Sequence, residues 1–297
     1  MASGIKKSRD TILFTIIGYF LVSLFALVCI IPFILMVSAS FTSEYAILRY
    51  GYQIFPREFS FGAYQMLFKY PEDIIRAYVV TIFITITGTT LGLFIISMTA
   101  YVLSRKDFPY RNKIAFYFYF VTLFNGGLVA TYIIMIRYYQ LKNSFLSLIL
   151  PYLVNVFFLI IMRSFMSSIP ESLGESAKID GANDFLIYIR IILPISKPAL
   201  ATIGLFLALE YWNDWYNAML YITDYKLYPL QYLLYNMLSV QEAMSRLSAE
   251  TSIDIANMPF QSIKMAMVVI ATGPILMVYP FVQKYFIKGI TMGAVKG

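Results

Sequence analysis

An otherwise apolar chain is interrupted by Pro170-Glu171-Ser172-Leu173-Gly174-Glu175-Ser176-Ala177-Lys178-Ile179-Asp180-Gly181-Ala182-Asn183-Asp184-Phe185. Pro170 suits the first turn of a helix, and Glu171 places negative charge where the helix dipole favours it. Gly181 permits a sharp turn, and Pro194 closes the segment nine residues after Phe185. The stretch therefore predicts a short helix, a turn and a second helix, exposed to water between two apolar segments.

Composition places the chain in a lipid bilayer. Hydrophobic residues make up 60% of its 297 residues, charged residues only 13%, and the mean hydropathy is +0.71. So few charges leave too little polar surface to cover a water-soluble globule. We expect one integral membrane domain over residues 1–297.

A bilayer crossing needs roughly 20 apolar residues. Six segments qualify: residues 12–37, 78–103, 114–136, 144–162, 199–221 and 265–286. They are continuous apolar runs, which favours helices, because barrel strands alternate apolar and polar positions over about 10 residues. The first run is too long for a cleaved secretion signal, so we predict an uncleaved anchor. The predicted fold class is all-α and integral to the membrane, with six transmembrane helices.

Charge sets the predicted orientation. With the N-terminus inside, the cytoplasmic pieces hold 14 of the 23 lysines and arginines, which satisfies the positive-inside rule. Both termini and the polar loop (residues 164–197) are therefore predicted to be cytoplasmic. This topology and the attraction of basic residues to lipid headgroups explain the net charge of +7, which therefore does not indicate a surface for nucleic acid.

Missing residue types narrow the chemistry. The chain has no histidine, and its single cysteine, Cys29, lies in the first apolar segment, which excludes disulfides, zinc clusters and Ser-His or Cys-His catalysis. No Gly-Lys dipeptide occurs, so a phosphate-binding P-loop is excluded as well. We expect no catalytic residue, metal site or cofactor in this chain. If it performs uphill work, ATP and Mg²⁺ must bind to another subunit.

The polar loop resembles the cytoplasmic docking loop of ABC-importer permeases. The likeness lies in Glu175-Ser176-Ala177, where Glu-Ala-Ala is usual, in Asp180-Gly181-Ala182 and in Leu193-Pro194. It implies the type I importer fold, in which this loop is a coupling helix resting in a cleft of the ATPase and Glu175 meets a basic residue there. The coupling residues implied are Gly174, Glu175, Ala177, Asp180, Gly181, Ala182, Phe185 and Ile189. Phe185 and Ile189 lie one helical turn apart and offer an apolar anchor for such a groove.

Motifs elsewhere resemble the carbohydrate class of these permeases, and within it the branch that imports oligosaccharides cut from polysaccharides. They are Phe124-Asn125-Gly126-Gly127, Leu150-Pro151, Met162-Arg163-Ser164-Phe165, Tyr211-Trp212-Asn213-Asp214-Trp215 and the C-terminal Lys288-Gly289 to Gly297. The resemblance implies a sugar transport subunit in the bacterial cytoplasmic (inner) membrane. Its implied partners are a second homologous permease, two ABC ATPase subunits, an extracytoplasmic sugar-binding protein and an oligosaccharide substrate.

Polar residues in the fifth apolar segment suggest a substrate path. Glu210 and Asp214 are four residues apart, as are Asn213 and Asn217, so each pair is expected on one helix face. Charge in hydrocarbon costs at least about 2.5 kcal/mol per residue, which favours a cavity or a partner helix over lipid. With aromatic neighbours suited to sugar rings, the candidate path residues are Asn125, Glu210, Trp212, Asn213, Asp214, Trp215 and Asn217. An ordinary aromatic and acidic belt at the outer interface is the competing interpretation.

Two other features have alternative interpretations. Gly88 and Gly92 have the spacing of small residues at helix contacts, and we predict close helix packing there. Asn125 marks either a helix break that lines the pore or simple close packing. The external segments, residues 38–76 and 223–263, are long enough to form a docking surface for a binding protein.

Two other classes of function are compatible with part of this pattern. A secondary transporter or channel can use Glu210 and Asp214 as ion or proton sites, but its hallmark, an inverted repeat, is not found. An intramembrane hydrolase has the same two acids but no pair of nucleophile and base. The sequence therefore favours an ATP-driven importer subunit that is not itself an enzyme.

Overall fold

The computed structural model describes residues 9–69, 71–124, 126–251 and 260–294. This part of the chain is helical throughout, apart from turns and an isolated antiparallel bridge between Thr42 and Phe59. The α-helices are α1 Arg9–Ser40, α2 Glu44–Tyr50, α3 Gly62–Leu67, α4 Pro71–Ser104, α5 Arg111–Leu123, α6 Gly127–Ile133, α7 Phe145–Ile149, α8 Val156–Ser167, α9 Ser172–Ile179, α10 Asp184–Ile187, α11 Leu193–Ile195, α12 Lys197–Trp212, α13 Tyr216–Tyr221, α14 Leu230–Thr251 and α15 Phe260–Ala294. Short π-helical turns follow α6 (Ile134–Tyr138) and α10 (Tyr188–Ile192), and 3₁₀ turns lie at Leu150–Tyr152 and Tyr225–Leu227.

The helices long and apolar enough to cross a membrane agree with the predicted fold class. Three single helices are long and apolar enough to cross a membrane, at Asp10–Ser40, Pro71–Ser104 and Phe260–Met277. Three bent pairs bring the number to six if each pair is one span: Arg111–Leu123 with Gly127–Tyr138, Phe145–Tyr152 with Val156–Ser167, and Asp184–Ile195 with Lys197–Trp212. The prediction of an all-α membrane protein is confirmed.

The fourth predicted segment is a bent pair of helices rather than one straight helix. The two halves of the fourth segment are bent by 49°. The side-chain oxygen of Asn155 accepts hydrogen bonds from the backbone N–H groups of Phe157, at 3.0 Å, and Phe158, at 3.4 Å. These bonds satisfy donors that the helix start leaves unpaired, so an apolar segment can break there without exposing bare backbone to lipid.

One compact unit comprises Met1–Pro71 and Met237–Gly273. In it the Glu44 carboxylate accepts hydrogen bonds from the backbone N–H of Gln261 and of Ser262, both at 2.9 Å, and from the Ser262 hydroxyl at 3.0 Å. These donors belong to the first turn of α15, where negative charge is favoured. The contact fixes α2 against the start of the last helix.

The other compact unit comprises Glu72–Asn236 and Pro274–Gly297. Its helices approach closely where glycines replace larger side chains. A Cβ atom added at Gly88 would lie 2.3 Å from Cζ of the Tyr211 ring, and one at Gly92 would lie 3.2 Å from the carbonyl oxygen of Leu153. The predicted close packing at Gly88 and Gly92 is therefore confirmed, and it joins α4 to the fourth and fifth spans.

We predict that Gly88→Ala destabilises the protein, because the ring of Tyr211 is fully buried and bonded through its hydroxyl to the Ile149 carbonyl at 2.8 Å, which leaves it little room to move. Overpacking of this kind costs about 1–3 kcal/mol. Thermal unfolding in detergent measures the loss. Gly18→Ala is the matched control, since nothing lies within 4 Å of a Cβ atom there. Equal midpoints for the two variants would contradict this account of the packing.

Candidate functional site

The polar loop has the predicted helix-turn-helix form. Helix α9 ends at Ile179, Gly181 adopts a positive φ of 83°, and α10 begins at Asp184. The Asn183 side-chain oxygen accepts a hydrogen bond from the backbone N–H of Leu186 at 2.8 Å and so caps α10. Pro170 lies two residues before α9 rather than within its first turn.

The inner face of the polar loop packs against the membrane helices. Ala177 and Ala182, which were expected to face water or a partner, are half-buried against the core instead. Behind them Ile187 and Tyr188 are buried, and the Tyr188 hydroxyl lies 2.7 Å from that of Ser97 in α4. The small alanine side chains allow α9 to lie close to this core, so the loop is an integral part of the helix bundle.

The outer face of the polar loop is apolar and exposed. Ile179 is 87% exposed, Phe185 56% and Ile189 41%. Glu175 is exposed as well and forms no ion pair with any residue that the structure describes. Exposed large apolar side chains and an unpaired carboxylate on one short segment are suited to contact with another protein.

Four charged side chains join the polar loop to the chain just after α4. Arg105 forms ion pairs with both Asp107 and Asp184. Lys178 lies 3.3 Å from Asp107 and 3.6 Å from Asp184. Positive and negative groups therefore alternate around a closed ring, which we call the ion ring (Arg105, Asp107, Lys178 and Asp184). It links α9 and α10 to the end of α4.

A cavity of about 280 Å³ lies beside the ion ring. Its charged lining includes Arg105, Lys106, Glu171, Glu175 and Lys178. Lys106 and Glu171 pair with each other at 3.0 Å. The cavity therefore brings the unpaired carboxylate of Glu175 next to charges that are already paired.

The ion ring shifts the pKa values of two of its members. Hydrogen bonding from Arg105, and then from Lys178, holds the pKa of the Asp107 carboxyl well below its ordinary value. Hydrogen bonding to Asp107 raises the pKa of the Arg105 guanidinium. Arg105 and Asp107 are therefore expected to be charged across the physiological pH range.

The fifth span is interrupted where the sequence predicts one continuous helix. Helix α12 ends at Trp212 and α13 begins at Tyr216, and we call residues 213–215 the fifth-span break. Asp214 is buried there, and its carboxylate accepts hydrogen bonds from the backbone N–H of Asn217 at 3.1 Å and from its side-chain amide at 3.0 Å. Tyr152 donates a further bond at 3.4 Å. The expectation that Glu210 and Asp214 share a helix face, and Asn213 and Asn217 another, is wrong, because α12 ends before Asn213 and Asp214 and Asn217 lies in the next helix.

Glu210 has a different partner, on the fourth span. The side-chain amide of Asn155 donates to one oxygen of the Glu210 carboxylate at 3.2 Å. The second oxygen is buried and has no hydrogen-bond partner within the described part of the chain. Asn155 thus serves two purposes, since its oxygen caps α8 and its nitrogen holds Glu210.

Exposed side chains of the fifth-span break meet the first turns of α14. The rings of Trp215 and Tyr235 are stacked, with centroids 4.4 Å apart and an interplanar angle of 21°. The Gln231 amide donates to the side-chain oxygen of Asn213 at 3.4 Å. Trp212 lies near Tyr78 instead, with ring centroids 6.5 Å apart. The structure therefore brings part of the predicted path together with a helix that the sequence did not connect to it.

Several residues escaped the sequence reasoning, and one prediction lies beyond the structure. Asn155, Tyr152, Gln231 and Tyr235 contact the predicted path residues, yet no motif or spacing links them to it. The only signal for Asn155 was a polar residue within an apolar segment. Asn125 lies outside the described residues.

Comparison with known proteins gives several matches over nearly the whole chain, although no protein-family profile matches it. The chain is 41% identical over 285 residues to the polygalacturonan/rhamnogalacturonan transport system permease protein YtcP of Bacillus subtilis strain 168, covering 96% of this chain and 99% of that protein. It is 40% identical over 270 residues to protein LplC of the same organism, covering 91% and 90%. A chain from the crystal structure of a bacterial ABC transporter involved in the import of the acidic polysaccharide alginate superposes with a TM-score of 0.80 at 30% identity, covering 95% of this chain and 99% of that one.

We predict that Arg105→Gln destabilises the protein by up to about 1 kcal/mol at neutral pH, because it removes two of the contacts of a half-exposed ion ring. Because the pKa of the Asp107 carboxyl is lowered in the folded protein, this carboxyl stabilises the fold at any pH above its ordinary pKa of about 3.9. That stabilisation is lost as the pH falls from there through the lowered pKa. The difference between the parent protein and the variant should therefore shrink below about pH 4. Thermal unfolding between pH 7 and pH 3 measures it.

The matched control for this prediction is Lys106→Gln, since Lys106 makes one exposed ion pair, to Glu171, outside the ring. It should change stability by less than Arg105→Gln at every pH. A variant of Arg105 that unfolds like the parent protein at neutral pH would show that the ring contributes nothing measurable.

Proposed function

Because the chain belongs to the permease proteins of sugar ABC transporters, we propose that it forms half of the translocation path of an ATP-driven oligosaccharide importer. It is a multi-pass membrane protein and a transport component, and its relatives work as parts of multi-subunit systems. The observation that carries the finer proposal is the polar loop, whose inner face is fixed to the helix bundle while Glu175 and an apolar surface face outward.

In the proposed mechanism the outer face of the polar loop binds the ATPase. Ile179, Phe185 and Ile189 would enter an apolar groove of the partner, and Glu175 would pair with one of its basic residues. The cavity beside Glu175, at about 280 Å³, offers space for a long basic side chain. Removing exposed apolar surface from water supplies most of the affinity, and the charge pair supplies orientation. The exposed and unpaired state of Glu175 supports this assignment.

The inner face of the polar loop suits the transmission of force. The ion ring joins α9 and α10 to the end of α4, and Tyr188 is bonded to Ser97 of the same helix. A push on the polar loop would therefore move α4 together with the loop. Closely packed interiors transmit displacement because they compress little. We infer that ATP-driven closure of the ATPases is converted in this way into movement of the spans.

Gly174, Asp180 and Gly181 have supporting parts in this mechanism. Gly181 makes the turn between the two short helices, and its backbone N–H bonds to the Lys178 carbonyl at 3.0 Å. Gly174 packs near Ile187, since a Cβ atom added at Gly174 would lie 4.0 Å from Cγ2 of Ile187. Asp180 ends α9 as its C-terminal cap residue. They shape the loop, whereas Glu175, Phe185 and Ile189 contact the ATPase.

The sugar path is proposed to pass the fifth-span break. Asn213 and Trp215 are exposed there and combine an amide with an aromatic face, the combination that sugar rings require. Asp214 and Asn217 are buried and bonded to each other, so we assign them to the support of the break. Glu210 and Trp212 lie at the end of α12 next to it, and Asn125 remains a proposed path residue on sequence grounds.

The proposed system has four further kinds of component. They are a second homologous permease, two ABC ATPase subunits that bind ATP and Mg²⁺, an extracytoplasmic sugar-binding protein and the oligosaccharide itself. The proposed location of this complex is the bacterial cytoplasmic (inner) membrane. A relative named for polygalacturonan/rhamnogalacturonan transport and a solved transporter involved in alginate import make fragments of these polysaccharides reasonable first substrates to test.

The alternative of a secondary transporter or channel uses Glu210 and Asp214 together as an ion or proton site. The contacts of these two residues argue against it. Both oxygens of Asp214 accept bonds from Asn217, and Glu210 is bonded to Asn155 on another span. A shared ion would need the two carboxylates to converge on one point.

We predict that Glu175→Lys leaves the protein in the membrane but abolishes sugar uptake, because reversal of an exposed charge introduces repulsion at the interface with the ATPase. Co-purification of the ATPase and uptake into membrane vesicles should both fall at least tenfold. The matched control is Asp10→Lys, another exposed acid on the predicted cytoplasmic side, away from the polar loop. Uptake that survives in Glu175→Lys would remove the proposed role of Glu175.

We also predict that the purified chain alone neither binds nor hydrolyses ATP, because it lacks the P-loop dipeptide and has no histidine. Co-expression with a related permease and the ATPase should give a monodisperse complex with one copy of each permease and an ATPase activity stimulated by sugar. Size-exclusion chromatography with light scattering and a phosphate-release assay measure both. A homodimer that transports sugar without an ATPase would favour the secondary transporter.

A further inference from the structure

We propose that the junction between the fifth-span break and the first turns of α14 is a binding subsite for one sugar ring. Trp215 and Tyr235 form its aromatic platform, and Asn213 and Gln231 supply its hydrogen bonds. The proposal rests on the proposed function and deepens it, since it adds two residues of an outer helix to the path. We call this set the ring subsite (Asn213, Trp215, Gln231 and Tyr235).

The aromatic platform is a ladder of nearly parallel rings. Trp215 stacks on Tyr235 with centroids 4.4 Å apart, and Tyr235 stacks on Tyr232 with centroids 6.3 Å apart and an interplanar angle of 18°. Trp215 is nevertheless 38% exposed and Tyr235 37% exposed. A stack that keeps more than a third of each outer side chain accessible presents aromatic surface to a ligand while holding each ring in place.

The amide groups lie beside this platform. Asn213 is exposed and Gln231 half-buried, and the hydrogen bond between them, at 3.4 Å, is long. That contact uses the oxygen of Asn213 and the nitrogen of Gln231, so the Asn213 nitrogen and the Gln231 oxygen remain available to a ligand. One donor and one acceptor beside an aromatic face match a pyranose, which is apolar on one face and carries hydroxyl groups around its edge.

Both sides of the ring subsite are held by buried hydrogen bonds. On one side, Asp214 fixes the backbone of the break through Asn217. On the other, the buried hydroxyl of Thr81 in α4 accepts a hydrogen bond from the backbone N–H of Leu230, the first residue of α14, at 2.8 Å. A ligand that enters such a site meets groups already in place, which lowers the entropy cost of binding. Aromatic residues that only anchor a span at the lipid interface need no such support.

The chemistry of the ring subsite specifies what it recognises. None of its four side chains carries a charge, so it is suited to the ring and hydroxyl groups of a sugar rather than to a carboxylate. We therefore expect it to contribute equally to transport of neutral and acidic oligosaccharides. Aromatic stacking is worth about 0.5–1.5 kcal/mol beyond burial, and at 1.4 kcal/mol per factor of ten its loss should change the apparent affinity by up to about tenfold.

The test uses the complete transporter, with the second permease, the ATPases and the binding protein, reconstituted in liposomes. Arabino-oligosaccharides serve as neutral probes and oligogalacturonides as acidic ones. Trp215→Leu and Tyr235→Leu should raise the KM of uptake about tenfold, whereas Trp215→Phe and Tyr235→Phe should stay within about threefold of the parent. Tyr139→Leu is the matched control, because Tyr139 is exposed on the same predicted side and makes no ring contact with any described residue. ATPase activity without sugar should stay at the parent value in Tyr139→Leu.

The outcomes separate the subsite from the proposed function. Import of neither probe by the parent transporter would overturn sugar import itself for these two classes, and the subsite with it. Import by the parent with an unchanged KM in both leucine variants would overturn the subsite alone, as would equal losses in the leucine and phenylalanine variants. If the leucine variants fail to assemble, Gln231→Ala decides: a KM raised severalfold for both probes supports the subsite, and a parental KM overturns it.

Discussion

The structure depends on satisfying polar groups inside a hydrophobic environment. A bilayer offers no water to unpaired backbone groups, so an apolar span can break only where the chain brings its own hydrogen-bond partners. Asn155 does this at the start of α8, and Asp214 does it beside α13. The same two side chains reach beyond their own breaks, Asn155 to Glu210 and Asp214 to Tyr152. The breaks of the fourth and fifth spans therefore stabilise each other, and polar groups gather at the point where the path is proposed to run.

The polar loop combines attachment to the membrane helices with an exposed surface, which we propose binds the ATPase. Its alternation of small and large apolar residues divides these tasks. Ala177 and Ala182 are small enough to pack against the core, whereas Ile179 and Phe185 face outward. The charges are divided in the same way, since Lys178 and Asp184 are used within the ion ring and Glu175 is not. One short segment thus combines side chains that are fixed to the helix bundle with side chains that remain exposed.

Sequence reasoning recovered the features that depend on long apolar runs or on local motifs. The membrane helices, the helix-turn-helix of the polar loop and the close approach at Gly88 all belong to this class. It missed the interruption after Trp212 because hydropathy averages over a window and does not register a single capping side chain such as Asp214. It also missed Tyr235, because this residue lies in α14, outside the fifth span and 20 positions after its stacking partner Trp215. Contacts of this kind depend on tertiary structure, which no local pattern encodes.

Helix α12 connects the two regions to which function is assigned. It runs over 16 residues, about 24 Å at 1.5 Å per residue, from Lys197 after the polar loop to Trp212 before the fifth-span break. Its buried residues Ile203 and Leu207 belong to the same core that Ile187 and Tyr188 of the polar loop enter. Gly204 lets α12 approach α4 closely, since a Cβ atom added there would lie 2.9 Å from the Leu93 side chain. In the proposed mechanism, a displacement of the polar loop would move α12 and α4, and through the bond between Thr81 and Leu230 it would also move the start of α14, which carries part of the proposed ring subsite.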